Sequence, residues 1–175
     1  MPGATRPKMA AKCTDSPQDL PLHDDSVIAL IQRVTTAQVH VAGRCCAQIG
    51  PGLLAFIGIV RNDTERQAER LVERVLDYRV FADAAGRMNR SLRDLPKALL
   101  LVPQFTLAAD TARGNRAGFS AAADPALAEA LYQHCLATAQ ARHGEVASGE
   151  FGAHMAVSLI NDGPVTFWLE SAPEA

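Results

Sequence analysis

Apolar positions along the chain follow two different periods. Val27 to Val34 (VIALIQRV) is a run of apolar and β-branched residues with Arg33 as its one charge, which predicts a first strand. Val39 and Val41 then alternate with His40 and Ala42, the chain turns at Gly43, and Arg44 to Ile49 returns, the pattern of a hairpin. LLAFIGIV, closed by Pro51-Gly52 before it and Arg61-Asn62-Asp63 after it, is apolar on both faces and predicts a central strand. From Thr64 the period lengthens: Gln67 completes a capping box with Thr64, and Ala68, Leu71, Val72, Val75 and Leu76 share one face of a helix. A short strand is expected over Tyr78 to Phe81, then a polar loop, then a buried strand over Ala98 to Val102. Ala108 to Ala123 has no period and reads as a loop. Asp124-Pro125 caps a second helix, with Leu127, Leu131, Cys135 and Thr138 along it and its end near Arg142. Met155 to Ile160 and Val165 to Leu169 predict the arms of a final hairpin around Asn161-Asp162-Gly163-Pro164, all turn residues. These elements make one α/β domain over residues 26–172, with a mixed, largely antiparallel sheet and two main helices.

Composition narrows the classes. Apolar residues are 48% of the 175 and charged residues 21%, ordinary globular usage. A net charge of -2 gives no general attraction to polyanions, which argues against a protein that tracks DNA or long RNA and leaves open one that takes only an RNA end. The four cysteines, Cys13, Cys45, Cys46 and Cys135, form no CxxC pair and no His/Cys cluster, so no metal site is expected and a reduced, intracellular setting is the simpler reading. No apolar run reaches the roughly 18 residues that span a bilayer, so a soluble, cytoplasmic protein is expected. Met1 to Asp25 carries four of the ten prolines and few large apolar side chains, and reads as a disordered extension.

Most catalytic templates fail. The chain has no GxSxG elbow, HExxH pair, Walker loop or GxGxxG turn, and its five histidines stand apart. Two segments remain. Pro103-Gln104-Phe105-Thr106 places polar residues just past a buried strand, where free backbone N–H groups can face a ligand and stabilise an oxyanion. By spacing alone, Gln104 and Thr106 read as well as the polar face of a continuing strand. The second segment is Asn161-Asp162-Gly163-Pro164, which by composition is a plain turn.

Five segments in order resemble the D-aminoacyl-tRNA deacylase family: IQRVTTAQVHV, IGPGLLAFIGI, YRVFADAAGRMNRSL, QFTLAADTARGNRAGF and GEFGAHMAVSLINDGPVTFWLES, so the resemblance spans about Val27 to Ser171. It implies a homodimer with both active sites at the interface. In such a dimer Gly163-Pro164 is cis and projects into the partner's site, where its backbone oxygens exclude L side chains, and Arg33 braces it across the interface. The match further implies that Gln104, Phe105 and Thr106 form the catalytic segment and present N–H groups to the ester carbonyl. Phe151 and Met155 would then surround the terminal adenine, with Asn161 also at the substrate, and Arg113 and Arg116 would meet tRNA phosphates. The implied reaction needs no cofactor and no side-chain nucleophile, because the terminal ribose 2′-hydroxyl helps activate water. Cleavage of glycine mischarged on an alanine tRNA, and a role in chiral proofreading, are further implications.

The chain departs from the usual pattern at Pro103, where serine is common, and at His154, where an acidic residue is common. A sibling branch that removes L-alanine from a threonine tRNA shares Pro-Gln, so that activity is one alternative. A non-catalytic module binding aminoacyl-tRNA ends is another, and a conventional serine hydrolase a third.

Overall fold

A computed structural model describes residues 26–112 and 114–171; the predicted N-terminal extension and Arg113 lie outside the described residues. The element order is β1 (Val27–Val41), β2 (Arg44–Ile49), β3 (Gly52–Gly58), α1 (Glu65–Asp77), β4 (Phe81–Ala82), β5 (Met88–Arg90), β6 (Ala98–Pro103), α2 (Pro125–Arg142), β7 (Val146–Ser148) and β8 (Met155–Ser171).

The mixed sheet runs β2-β1-β3-β6-β7, with β8 also on β1. Pairs to β1 are antiparallel; β3-β6 and β6-β7 are parallel. The fold class expected from the sequence is the one observed. β3 is central, as its two-sided apolarity requires. Its Leu53, Ala55 and Ile57 pack with α1 and α2 on one face, while Leu54 joins Val34, Val39, Ile49 and Leu100 in a second cluster on the other.

Both helices start where the sequence places them. Thr64 and Gln67 form the capping box, and all five predicted α1 positions are buried. The Asp124 carboxylate accepts from the N–H groups of Ala126 and Leu127, and Pro125 opens α2 without an unused donor. Leu131 and Cys135 are buried there. Tyr132, beside them, donates its hydroxyl to the Leu101 carbonyl at 3.0 Å.

Three expectations need correction. The first strand and the first arm of the following hairpin are one strand, β1: Ile28 to Val34 pairs β3, and Ala37 to Val41 pairs β2. The hairpin turn itself stands, because Ala42 and Gly43 both take positive φ (48° and 80°), the geometry whose twist suits a two-residue connection. Tyr78 to Val80 is not a strand; pairing begins at Phe81, against Arg90.

The third correction matters most. Met155–Ser171 is one strand rather than a hairpin, and both halves pair β1: Met155 to Ile160 against Val41 to Thr36, Thr166 to Ser171 against Gln32 to Val27. Between Gln32 and Val34 the ladder on β8 advances from Thr166 to Asn161, so Asp162 to Val165 bulge out of a continuous strand instead of reversing it. Asn161 closes the base of the bulge, donating through Nδ2 to the Arg33 and Val165 carbonyls, both at 3.1 Å, while its Oδ1 accepts from the Val165 N–H at 3.4 Å.

Candidate active site

β6 ends at Pro103, and the chain does not continue as strand. The Gln104 N–H donates to the Ile57 carbonyl at 2.7 Å, and residues Phe105–Ala108 make a single 3-10 turn. The alternative of a continuing polar strand face is therefore excluded. Gly58 makes the turn possible, since a Cβ there would lie 2.9 Å from Leu107 Cβ and 3.3 Å from the Gln104 carbonyl oxygen. Proline at 103 removes no bond that holds the turn, because the anchoring donor belongs to Gln104. The Gln104 side chain donates to the Thr106 hydroxyl, tying the segment to itself.

The N–H groups of Phe105 and Thr106 open this turn and meet no acceptor among the described residues. Phe105 lines a largely apolar cleft of about 490 Å³, and Thr106 follows it. Ile57 and Ile59 lie on its β3 side, and Val102, Pro103, Gln104 and Phe105 on the β6 side. Ala128 and Tyr132 come from α2, and Phe151, His154 and Met155 from the segment leading into β8. Phe151 stands 6.2 Å, centroid to centroid, from the Tyr132 ring. Met155 is seated by Gly149, where a Cβ would lie 2.9 Å from its sulfur.

A larger concavity of about 770 Å³ runs between residues 92–97 and 142–145. It is wide open, and three of its polar groups are already engaged: Arg93 with Asp77, Arg142 with Glu73, and the His143 ring with the Lys97 carbonyl at 2.6 Å. The smaller cleft, with apolar walls and backbone at its edge, is the candidate site.

Side-chain acid–base groups are scarce there. Tyr132 is buried, and burial pushes its hydroxyl up to about 12, so it stays protonated at neutral pH while bonded to Leu101 and at 2.8 Å to Ser148. His154 is the only described histidine lining the cleft. Among the described residues no group of three or more His, Cys, Asp or Glu is arranged to hold a metal ion. What the cleft offers an ester is main-chain N–H groups and apolar walls.

Of the predicted site residues, Gln104, Phe105, Phe151 and Met155 meet in this cleft, with Thr106 held beside it by Gln104. Arg33, Asn161, Gly163 and Pro164 meet elsewhere. The Gly163-Pro164 peptide is cis, on the exposed bulge of β8. Arg33 donates through Nε to the Asp162 carbonyl at 2.9 Å, pairs with its carboxylate at 3.0 Å, and donates through a terminal nitrogen to the Val80 carbonyl. This bracing is within one chain. Four residues of extended strand separate Asn161 from Val157, the last β8 residue lining the cleft, about 13 Å, so the bulge stands outside the cleft of its own chain. Asn161 spends its side-chain amide on the base of the bulge and takes no part in lining the cleft. Arg116 is exposed in the loop that Asp110 and Gly118 close with paired bonds of 2.8 and 2.9 Å.

Sequence reasoning missed Tyr132 and Phe119 here. Tyr132 lay next to the predicted α2 face and was hidden by its resemblance to core. Phe119 sits in a loop without period, yet its ring lies 5.3 Å from that of Phe105.

Two comparisons of structure place the fold. A c-Myc DNA Unwinding Element Binding Protein superimposes with a TM-score of 0.80 at 37% identity, over 83% of this chain and 99% of that one. A probable eukaryotic D-amino acid tRNA deacylase, at 16% identity and a TM-score of 0.75, shares the fold over the same 83%. The mixed α/β fold is the one shared with these two proteins. The model of the D-Tyr-tRNA(Tyr) deacylase family matches residues 30–170. The D-aminoacyl-tRNA deacylase of Thioalkalivibrio sulfidiphilus is 61% identical over 147 residues, 84% of this chain and 99% of that protein. That of Nitrosococcus oceani is 58% identical, over 84% and 95%. The chain belongs to the D-Tyr-tRNA(Tyr) deacylase family, a family of ester hydrolases.

Proposed function

We propose that this protein hydrolyses the ester joining a D-amino acid to the terminal adenosine of tRNA, as a homodimer in the cytoplasm. The observation that carries the reading is the pair of N–H groups at Phe105 and Thr106, without acceptors among the described residues, on the turn beside an apolar cleft walled by Phe151 and Met155. An adenine against Phe151 gains about 1–3 kcal/mol from stacking, and its ester carbonyl then falls near the N–H pair. Those donors stabilise the oxyanion as water adds to the carbonyl carbon. The ribose 2′-hydroxyl assists that water, and the 3′-oxygen leaves as the tRNA's free hydroxyl.

Distance supports the dimer. The Gly163-Pro164 bulge lies too far from the cleft of its own chain to read the amino acid there, so a second copy supplies it. β8 supports this, because among the described residues it pairs only β1 and it carries exposed Ile160 (60%) and Trp168 (42%) along its length. Main-chain oxygens at the bulge then collide with an L side chain and admit hydrogen, which extends the reading to glycine on an alanine tRNA and to chiral proofreading. Arg116 contacts tRNA phosphate in this arrangement.

The test is deacylation of D-Tyr-tRNA and L-Tyr-tRNA side by side, with Thr106→Ala and Pro164→Ala variants. Selective loss of the D ester, slowed by Pro164→Ala, supports the reading. Cleavage of L-Ala-tRNA instead, or neither ester cleaved above the buffer rate, overturns it. Sedimentation that finds only monomers removes the shared site.

A further inference from the structure

Two phenylalanine rings stand exposed together at the cleft mouth. Phe105 is 61% exposed and Phe119 44%, with centroids 5.3 Å apart and planes tilted by 52°. The backbone fixes Phe119 on both sides. Asp110 and Gly118 exchange bonds of 2.8 and 2.9 Å before it, and its own carbonyl accepts from the Ala122 N–H at 3.2 Å. Arg61 reaches the same loop, donating its N–H to the Ala121 carbonyl at 3.0 Å and its guanidinium to the Ser120 carbonyl. Phe105, in contrast, sits on a lone 3-10 turn and makes no other ring contact among the described residues.

We propose that Phe119 is a positioning residue that holds Phe105, so that the turn carrying the Phe105 and Thr106 N–H groups keeps its place beside the cleft. The proposal rests on the reading of those groups as oxyanion donors. The ring contact ties the 3-10 turn to the fixed loop that carries Phe119, so its loss leaves the backbone of Phe105 and Thr106 freer to shift. Hydrogen bonds weaken steeply as the donor angle falls, and a donor pair accelerates the reaction only if it is aimed beforehand. A tilted aromatic pair is worth enough that its loss lowers kcat by roughly three- to tenfold.

The experiment compares the full chain with Phe119→Ala and Phe119→Tyr, reading kcat and KM on D-Tyr-tRNA, urea unfolding, and the backbone amide NMR signals of Phe105 and Thr106. Phe119→Ala is expected to lower kcat by about three- to tenfold, leave KM within about twofold, and shift or broaden both amide signals. Phe119→Tyr restores all three, and the unfolding midpoint falls only modestly for Phe119→Ala and not for Phe119→Tyr. Unmoved amides with unchanged kcat overturn the proposal. So does a raised KM with unchanged kcat, which would make the ring a substrate contact. If the unsubstituted protein cleaves no D ester, the functional reading falls by itself. The amide signals still decide the role of Phe119: unmoved signals overturn it and shifted ones support it.

Discussion

Arg33 holds the Gly163-Pro164 bulge through contacts of unequal worth. The ion pair with Asp162 is between a side chain 17% exposed and one 51% exposed, so solvent screens it and it contributes at most about 1 kcal/mol. The bonds from the guanidinium to the Asp162 and Val80 carbonyls are charge-assisted and contribute about 1.5–3 kcal/mol each. Two substitutions separate these effects. Asp162→Asn removes the carboxylate charge and leaves both carbonyl bonds, so it costs less than about 1 kcal/mol. Arg33→Lys keeps the charge but cannot reach two carbonyls with one fork, and loses at least one bond, about 1.5–3 kcal/mol. In a domain of this size that lowers Tm by about 3–12 °C. Urea and thermal unfolding read the stability, and the ratio of D-Tyr-tRNA to L-Tyr-tRNA cleavage reads the bulge. The ratio should fall for Arg33→Lys and hold for Asp162→Asn. If Asp162→Asn costs as much as Arg33→Lys, the ion pair holds the bulge and the ranking is wrong.

Gly58→Ala brings a methyl against Leu107 and the Gln104 carbonyl and displaces the 3-10 turn, at about 1–3 kcal/mol of stability; kcat should fall while KM changes little, and unchanged kcat would show that the turn tolerates the shift. Asn161→Ala removes three hydrogen bonds at the base of the bulge and should destabilise by about 1–3 kcal/mol, with D/L discrimination lost before D-ester cleavage; equal loss of both would place Asn161 in the chemistry. Burial pushes the Tyr132 hydroxyl and the Cys135 thiol each up to about 12. The native state therefore keeps protons that the unfolded chain releases from about pH 8.5 and 10. Stability is fully present below that range and falls as pH rises toward 12, by up to about 1.4 kcal/mol per pH unit for each group. Tyr132→Phe should flatten the fall above about pH 10 in urea midpoints, and an unchanged slope would contradict the assignment.

Local sequence was sufficient wherever a local interaction decides the outcome. The Thr64–Gln67 capping box and Asp124-Pro125 set the helix starts, since each cap bonds N–H groups within three residues of itself. The two-sided apolarity of β3 placed it at the centre because only a doubly covered strand hides both faces. The resemblance pointed to Gln104, Phe105, Thr106, Phe151 and Met155, and the fold brings four of them into one cleft with Thr106 beside it.

What the sequence left open depended on partners far along the chain. Asn-Asp-Gly-Pro suits a reversal or a bulge equally well; β1, long enough to pair both halves of β8, and the Asn161 amide bonded to the Arg33 carbonyl chose the bulge. Gln104 and Thr106 could have continued a strand until the Ile57 carbonyl took the Gln104 N–H and Gly58 left room for the turn. Phe119 had no signal at all, because nothing within a loop reports the ring it will meet. Side-chain pattern fixes which surface must be buried; only tertiary register decides against which backbone, and therefore where the free N–H groups and the Gly-Pro bulge end up.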